Sequence, residues 1–212
     1  MAPTEISVPV PVPVSLAIAV NAFVWALAVV LTATSAHAAG SDVAVRVERD
    51  GSRLQVEATM RAPASVETCW LVLTDFDRLH TFVPRLDESR ILGRAPLLVQ
   101  QIGSAGFGPL RTRIDVTLAV RLFAPSRIEF ERVAGNLREM RGEWTIAAQD
   151  GGCLVAYSAL IEPDFPVLPW IGPALMRSQI DEQLRALRDE IGRRAADPSA
   201  QRPPLGGAAS GE

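Results

Sequence analysis

The stretch that decides the fold is residues 168–194, LPWIGPALMRSQIDEQLRALRDEIGRR. Apolar side chains recur along it at steps of four, four, three and four residues: Met176, Ile180, Leu184, Leu187 and Ile191. This spacing predicts a long α-helix with one apolar face. Acid–base pairs at i,i+4, Asp181 with Arg185 and Asp189 with Arg193, fall on its other face. Because such a helix needs an apolar partner, we expect the rest of the chain to wrap around it, with a functional cleft between the two.

The residues before this helix predict strands, with two short helices near the start. Alternating polar and apolar side chains predict eight strands, at 41–49, 53–61, 86–92, 97–102, 110–122, 127–134, 137–147 and 153–161. Ser65 is placed to cap a first short helix, and residues 75–82 predict a second. Strands and helices are segregated along the chain, so the predicted class is α+β, with an antiparallel sheet.

The two ends of the chain do not look like part of this domain, which we place at residues 41–194. Residues 1–38 predict a signal peptide, because an apolar run at 16–31 ends in Ala36-His37-Ala38, an A-x-A type of cleavage site. An uncleaved membrane anchor is the alternative, since about 20 apolar residues can span a bilayer. Residues 195–212 lack any apolar period, which predicts a disordered tail. We therefore expect a periplasmic or secreted protein, membrane-anchored if the leader is retained.

Composition argues against one class of function and excludes another. The chain has 21 basic and 24 acidic side chains and no basic run, which argues against nucleic acid as a partner. It contains no lysine, so catalysis through a lysine Schiff base is excluded.

Two motifs resemble a known group of proteins. In residues 62–84, an Ala62-Pro63 start is followed by Trp70 in the first helix, Asp75 at its end, and Phe82-Val83-Pro84. Residues 135–144, GNLREMRGEW, place a glycine two residues before a tryptophan. Both resemble the START-like helix-grip (SRPBCC) superfamily, in particular the polyketide cyclase and coenzyme Q-binding START-domain family.

This resemblance implies a helix-grip fold. In that fold a curved antiparallel sheet of seven to eight strands wraps around a long C-terminal helix, with two short helices after the first hairpin. The strand at 41–49 would be an addition to the usual seven strands.

The resemblance also implies a binder of a hydrophobic small molecule or lipid, since family members carry quinones, sterols, phospholipids or polyketides. Our leading hypothesis is an exported, monomeric carrier or sensor without a cofactor, able to contact a membrane transiently. The alternative is a polyketide cyclase or aromatase, an enzyme of the cyclase/dehydratase type, which acts in the same pocket. A third hypothesis is an interaction domain whose cleft is packed shut.

We expect the cleft to be lined by inward-facing side chains of the strands, of the first short helix and of the long helix: Trp70, Ile114, Val116, Phe130, Arg132, Met140, Trp144, Tyr157, Met176, Ile180 and Leu184. For Trp70 and Trp144, packing in the core is the alternative. Arg132 and Arg138 are in phase with inward residues, and would bind an acidic ligand group unless a bulge near Gly135 turns them outward.

No catalytic or metal-binding set is expected. His80 is the only histidine after the leader, and it lies in a predicted surface helix. One histidine and two cysteines far apart in sequence give no metal-ligand spacing. Asp75 is either a general base or, as we favour, a residue that ends its helix.

The two cysteines, Cys69 and Cys153, are expected to be free thiols. The last strand should start beside Pro63, and Cys69 is then two helical turns away, about 9 Å along the helix axis. Bridged cysteines need Cα atoms within ~7 Å of each other.

The leader yields the first testable prediction. N-terminal sequencing of the mature protein should give Ala39 as the first residue, because cleavage is expected after Ala38. Full-length protein in the membrane fraction would show instead that the leader is an anchor.

Overall fold

The computed structural model describes residues 42–106, 108, 111–165 and 172–197. The predicted signal peptide and all but the first three residues of the predicted tail lie outside this part. Its elements, in chain order, are β1 Val43–Asp50, β2 Arg53–Ala62, α1 Val66–Leu73, a 3₁₀ helix Phe76–Thr81, β3 Leu86–Arg94, β4 Leu97–Ala105, β5 Thr112–Phe123, β6 Arg127–Gly135, β7 Leu137–Gln149, β8 Gly152–Pro163 and α2 Gly172–Ala196. Among these elements, no helix is long and apolar enough to cross a membrane.

The strands form one antiparallel sheet of eight strands in the order β1-β2-β8-β7-β6-β5-β4-β3. The sheet curves around α2, and the short helices follow the first hairpin. The predicted α+β class and helix-grip fold are confirmed. Burial alternates along the strands as expected: every second residue of β2, from Leu54 to Ala62, is buried.

Local sequence signals explain where several elements begin. The Ser65 side chain caps α1 by accepting a hydrogen bond from the Thr68 amide at 3.2 Å. The second short helix is a 3₁₀ helix. Strand β4 continues to Ala105, three residues beyond its predicted end at 102, and the Ser104 amide there donates to the Arg85 carbonyl at 3.0 Å.

The turn between β6 and β7 is bound to β5. The Asn136 side-chain amide donates to the Arg113 carbonyl at 2.7 Å, and its oxygen accepts from the Asp115 amide at 2.9 Å. Gly135 has φ +111°, and a Cβ there would overlap the Asp115 carbonyl oxygen. This close approach needs glycine. It is accompanied by a bulge in each flanking strand, at Val133 and at Arg138, which have no partner in the strand register.

Helix α2 uses its apolar face in two ways. Leu184, Leu187 and Ile191 are buried, whereas Met176 and Ile180 are half-buried and border empty space. The Asp181–Arg185 pair forms at 2.7 Å.

The C-terminal end of α2 is held by a buried ion-pair group, which we call the Arg194 cluster. The Arg194 side chain is 5% exposed and lies 2.8 Å from an Asp75 oxygen and 2.6 Å from a Glu190 oxygen. Its guanidinium group also lies 5.5 Å from the centre of the Phe82 ring. Arg193 pairs with Glu190 at 2.7 Å instead of with Asp189 as predicted.

The Arg194 cluster gives roles to two motif residues. Asp75 and Phe82 hold the end of α2 against the junction between α1 and the 3₁₀ helix.

The hydrogen bond from Arg193, followed by that from Arg194, lowers the pKa of Glu190. The ionised Glu190 side chain therefore contributes fully to stability above the ordinary pKa of glutamate. This contribution is lost as the pH falls through the lowered pKa.

The expectation of two free thiols is wrong, because Cys69 and Cys153 form a buried disulfide. Cys153 does pair with Ala62 at the start of β8 as expected. The expected separation of about 9 Å was wrong because it treated the rise along α1 as distance away from the strand. The helix lies against the sheet, which leaves the two Cα atoms 7.1 Å apart. The bond spans 84 residues, and a closed loop of that size removes unfolded-state entropy worth about 4–5 kcal/mol.

The Arg194 cluster should be a major source of stability. We expect Arg194→Met to lower the free energy of unfolding by about 3–5 kcal/mol, because it leaves the acids of Asp75 and Glu190 without their buried partner. Arg185→Met is the matched control, since it removes an exposed i,i+4 pair with Asp181 and should lose less than about 1 kcal/mol. Urea unfolding midpoints measure both, and equal losses would contradict a special role for Arg194.

Candidate ligand-binding cavity

A cavity of about 300 Å³ lies between the concave face of the sheet and α2. This volume is at the lower end of the range for small-molecule sites. The cleft is therefore not packed shut. Its lining is mainly apolar, with contributions from α1, the 3₁₀ helix and strands β3 to β8.

The cavity ends against a solid layer of core side chains. Ile146, Val155 and Met60 lie side by side on β7, β8 and β2, and each is at most 4% exposed. None of them borders the cavity, whereas Trp144 and Tyr157, the next inward pair along β7 and β8, do. Trp144 and Tyr157 therefore form the floor of the cavity.

Three aromatic rings stand together at this floor. The Tyr157 ring stacks on Phe130, with centres 6.0 Å apart and planes 13° apart. The Trp144 ring centre is 4.4 Å from that of Tyr157. Gly142 is directly opposite Phe130, and a Cβ there would come within 2.8 Å of the Phe130 ring. Glycine at this motif position therefore leaves room for the ring to lie across β7.

The floor carries polar hydrogens that lack acceptors. Within the described part of the chain, neither the Tyr157 hydroxyl nor the Trp144 indole N–H has a hydrogen-bond partner, and both side chains are half-buried and border the cavity. Burial raises the pKa of Tyr157 well above its ordinary value. The phenol therefore stays protonated at neutral pH and can donate a hydrogen bond.

The opposite end of the cavity, toward the start of α2, has a polar rim. Arg85 and Gln179 both donate to the Gly106 carbonyl, at 3.3 and 3.2 Å. Gln183 donates to the Pro84 carbonyl at 3.2 Å, and Arg85 also pairs with Glu182 at 3.2 Å. These three rim side chains are thus already bound to the protein, whereas the hydroxyl of Ser104, which also borders the cavity, is buried without a partner among the described residues.

Most of the predicted site residues come together around this space. Nine of them border the cavity: Ile114, Val116, Phe130, Met140, Trp144, Tyr157, Met176, Ile180 and Leu184. That they bind a ligand stays a prediction.

Trp70 and Arg132 do not border the cavity. Trp70 is half-buried and packs against the core, whereas Leu73, three residues later on α1, reaches the cavity. Arg132 is opposite Leu118 in the register, but its guanidinium donates to the Gly135 carbonyl at 2.9 Å. The guanidinium that was expected to face a ligand is thus bound to the nearby turn through one nitrogen, and its Nε has no partner among the described residues.

Arg138 points outward. Its side chain is 61% exposed and pairs with Asp164 at 2.8 Å. The bulge that skips Arg138 in the pairing of β7 with β8 changes its phase relative to Met140. Of the two alternatives for this residue, the bulge is the one that occurs.

Sequence reasoning missed the polar residues at the rim of the cavity. Gln179 and Gln183 stand four residues apart, each directly before a residue of the apolar stripe, so their positions were readable from the helix period. Arg85 had no such signal, since it lies in a turn with φ +65°. His80 is exposed and does not border the cavity.

A family model described as "Polyketide cyclase / dehydrase and lipid transport" matches residues 62–188, which is more than half of the chain. The chain belongs to this family. The match includes both motifs, the cavity floor and most of α2. A comparison of the sequence with curated proteins found no match.

Solved structures support the same fold for this member of the polyketide cyclase and lipid transport family. It is similar to a STAR-related lipid transfer protein from Xanthomonas axonopodis, with a TM-score of 0.59, 15% identity, and coverage of 72% of this chain and 94% of the other. A START superfamily protein from Mycobacterium smegmatis gives a TM-score of 0.58, 18% identity, and coverage of 66% and 97%. The Zhui aromatase/cyclase from Streptomyces sp. R1128 gives 0.55, 17%, and coverage of 68% and 98%. At these identities the likeness concerns the fold alone.

Two isoleucines on α2 can test whether the cavity is empty space. Ile191 lies in the solid core at 0% exposure, so Ile191→Ala should lower the free energy of unfolding by about 2–5 kcal/mol by creating a cavity. Ile180 borders existing space, so Ile180→Ala should lose only about 1–2 kcal/mol. Denaturant midpoints of the two variants give the comparison. Equal, core-sized losses would show that the space around Ile180 is filled by side chains.

Proposed function

We propose that the protein is an exported carrier or sensor that binds a hydrophobic small molecule or lipid in the cavity between the sheet and α2. The observation that carries the proposal is the cavity itself, about 300 Å³ of mostly apolar space in a member of a family described for lipid transport. A solidly packed core would fill this space with side chains and gain stability. Space kept open in this way is suited to a ligand.

The chemistry of the lining favours binding over catalysis. The family description also includes cyclases and dehydrases, whose reactions move protons. Among the described residues that border the cavity there is no histidine, aspartate, glutamate or cysteine. Tyr157 is a poor base at neutral pH because its pKa is raised. The residues present can bind and orient a molecule, but offer little for acid–base catalysis.

Export is supported by two observations. Residues 1–38 contain an apolar run at 16–31 followed by Ala36 and Ala38 at the cleavage positions, as in a signal peptide, although no basic residue precedes the run. The Cys69–Cys153 disulfide is of the kind that persists in oxidising compartments such as the periplasm. We further propose that the carrier is a monomer that contacts membranes transiently, when it takes up or releases its ligand.

The first test of binding is native mass spectrometry of protein purified from the periplasm of its own host. A bound small molecule, released on denaturation, is the expected result. Protein that carries nothing, and that also fails to bind an added probe, would contradict the proposal.

A cavity-filling variant provides the second test. We expect Val116→Phe to abolish the fluorescence enhancement of the neutral apolar probe N-phenyl-1-naphthylamine, because Val116 is 3% exposed and borders the cavity. Val133→Phe is the matched control, since Val133 is 51% exposed on β6 and outside the cavity lining. Titration of both variants and the wild type gives the dissociation constants. Equal binding by all three proteins would place the probe elsewhere.

A further inference from the structure

The proposed function leaves open which end of a ligand enters the cavity first. The side chains at the floor of the cavity indicate this orientation. Leu187 is the last residue of α2 that borders the cavity, and Gln179 lies at the rim eight residues earlier. At 1.5 Å per residue, rim and floor are about 12 Å apart. The two ends therefore meet different parts of a ligand of that length.

The two ends differ in their free hydrogen-bonding capacity. At the rim, Arg85, Gln179 and Gln183 already donate to backbone carbonyls. At the floor, the Tyr157 hydroxyl and the Trp144 indole N–H have no acceptor in the described part of the chain. Both side chains are half-buried and border the cavity, so a ligand that supplies an acceptor there satisfies two neighbouring donors that the protein leaves free.

The two ends also differ in charge. Arg85 is the one charged residue among the described residues that border the cavity, and it lies at the rim. An anionic group at the floor would be desolvated with no cation beside it, at a cost of several kcal/mol. A neutral oxygen avoids this cost and can still accept a hydrogen bond.

Building on the proposed function, we infer that the ligand enters with a neutral hydrogen-bond acceptor first, such as a ketone or ether oxygen, and that this oxygen binds the Tyr157 hydroxyl at the cavity floor. Trp144 provides a second donor beside it, and Phe130 lies parallel to the Tyr157 ring. A flat, ring-shaped leading group packs against such rings better than a flexible chain does. The apolar body then extends past Met140 and Ile180 toward the rim.

Three probes of similar size separate the chemistry of the leading group. They are 2-acetylnaphthalene, which carries a ketone oxygen; 2-isopropenylnaphthalene, in which a CH₂ group replaces that oxygen; and 2-naphthoate, which is an anion. Isothermal titration with the wild-type protein should give the ketone about 5- to 30-fold tighter binding than the alkene. The anion should bind more weakly than the ketone.

Two variants locate the oxygen. Tyr157→Phe should reduce the ketone-to-alkene affinity ratio to about 1, because it removes only the hydroxyl. Gln101→Leu removes a side-chain amide from the part of the lining that β4 contributes, and the ratio should persist in that variant. Without ligand, Tyr157→Phe should unfold at the same urea concentration as the wild type or a higher one, because the hydroxyl has no partner to lose.

The outcomes distinguish the two proposals. If the wild type binds none of the probes, the proposed function fails and the inference fails with it. If the wild type binds ketone and alkene equally well, or Tyr157→Phe keeps the preference for the ketone, binding in the cavity stands and the orientation is overturned. A preference that disappears in Gln101→Leu but not in Tyr157→Phe would place the oxygen at the other end.

Discussion

The packing of one long helix against the concave face of the sheet is the contact on which the rest of the structure depends. Helix α2 is fixed at its C-terminal end, where Leu187 and Ile191 are buried and Arg194 pairs with Asp75 and Glu190. The disulfide holds α1 to β8 at the same end of the molecule. Because that end is rigid, the N-terminal half of α2 can lie over empty space without the fold having to close it.

An empty apolar cavity lowers the stability of a fold. The residues around this cavity explain why it does not collapse. The aromatic rings at its floor are large and stacked, and Gly142 gives Phe130 the room that it needs. Collapse would require these rings to leave favourable positions and β7 to move relative to β8. The stability lost to the empty space is offset by the buried ion pairs and by the cross-link, both of which lie beyond the floor. The Arg194 cluster and the proposed ligand-binding site thus lie toward opposite ends of α2.

Much of the site could be predicted from the sequence because a period places side chains on faces. The period of two in β5 put Ile114 and Val116 on the inner face, and the helical period put Met176, Ile180 and Leu184 on the inner side of α2. Periodicity fails where the chain departs from it. The bulge at Arg138 turned outward a residue that the pattern placed inside. Trp70 lies on a helix that does reach the cavity, but its side chain packs against the core instead of bordering the cavity.

The sequence by itself determined the class of the fold, the order of its elements and the apolar character of the cleft, because these follow from local patterns and from the residues of two motifs. Only the tertiary structure decided which side chains of different elements meet. The bond between Cys69 and Cys153, the pairing of Arg194 with Asp75 and the exposed position of Arg138 all depend on distances between segments far apart in the chain. Such distances are set by how the helices lie across the sheet, and no period within a single element encodes them.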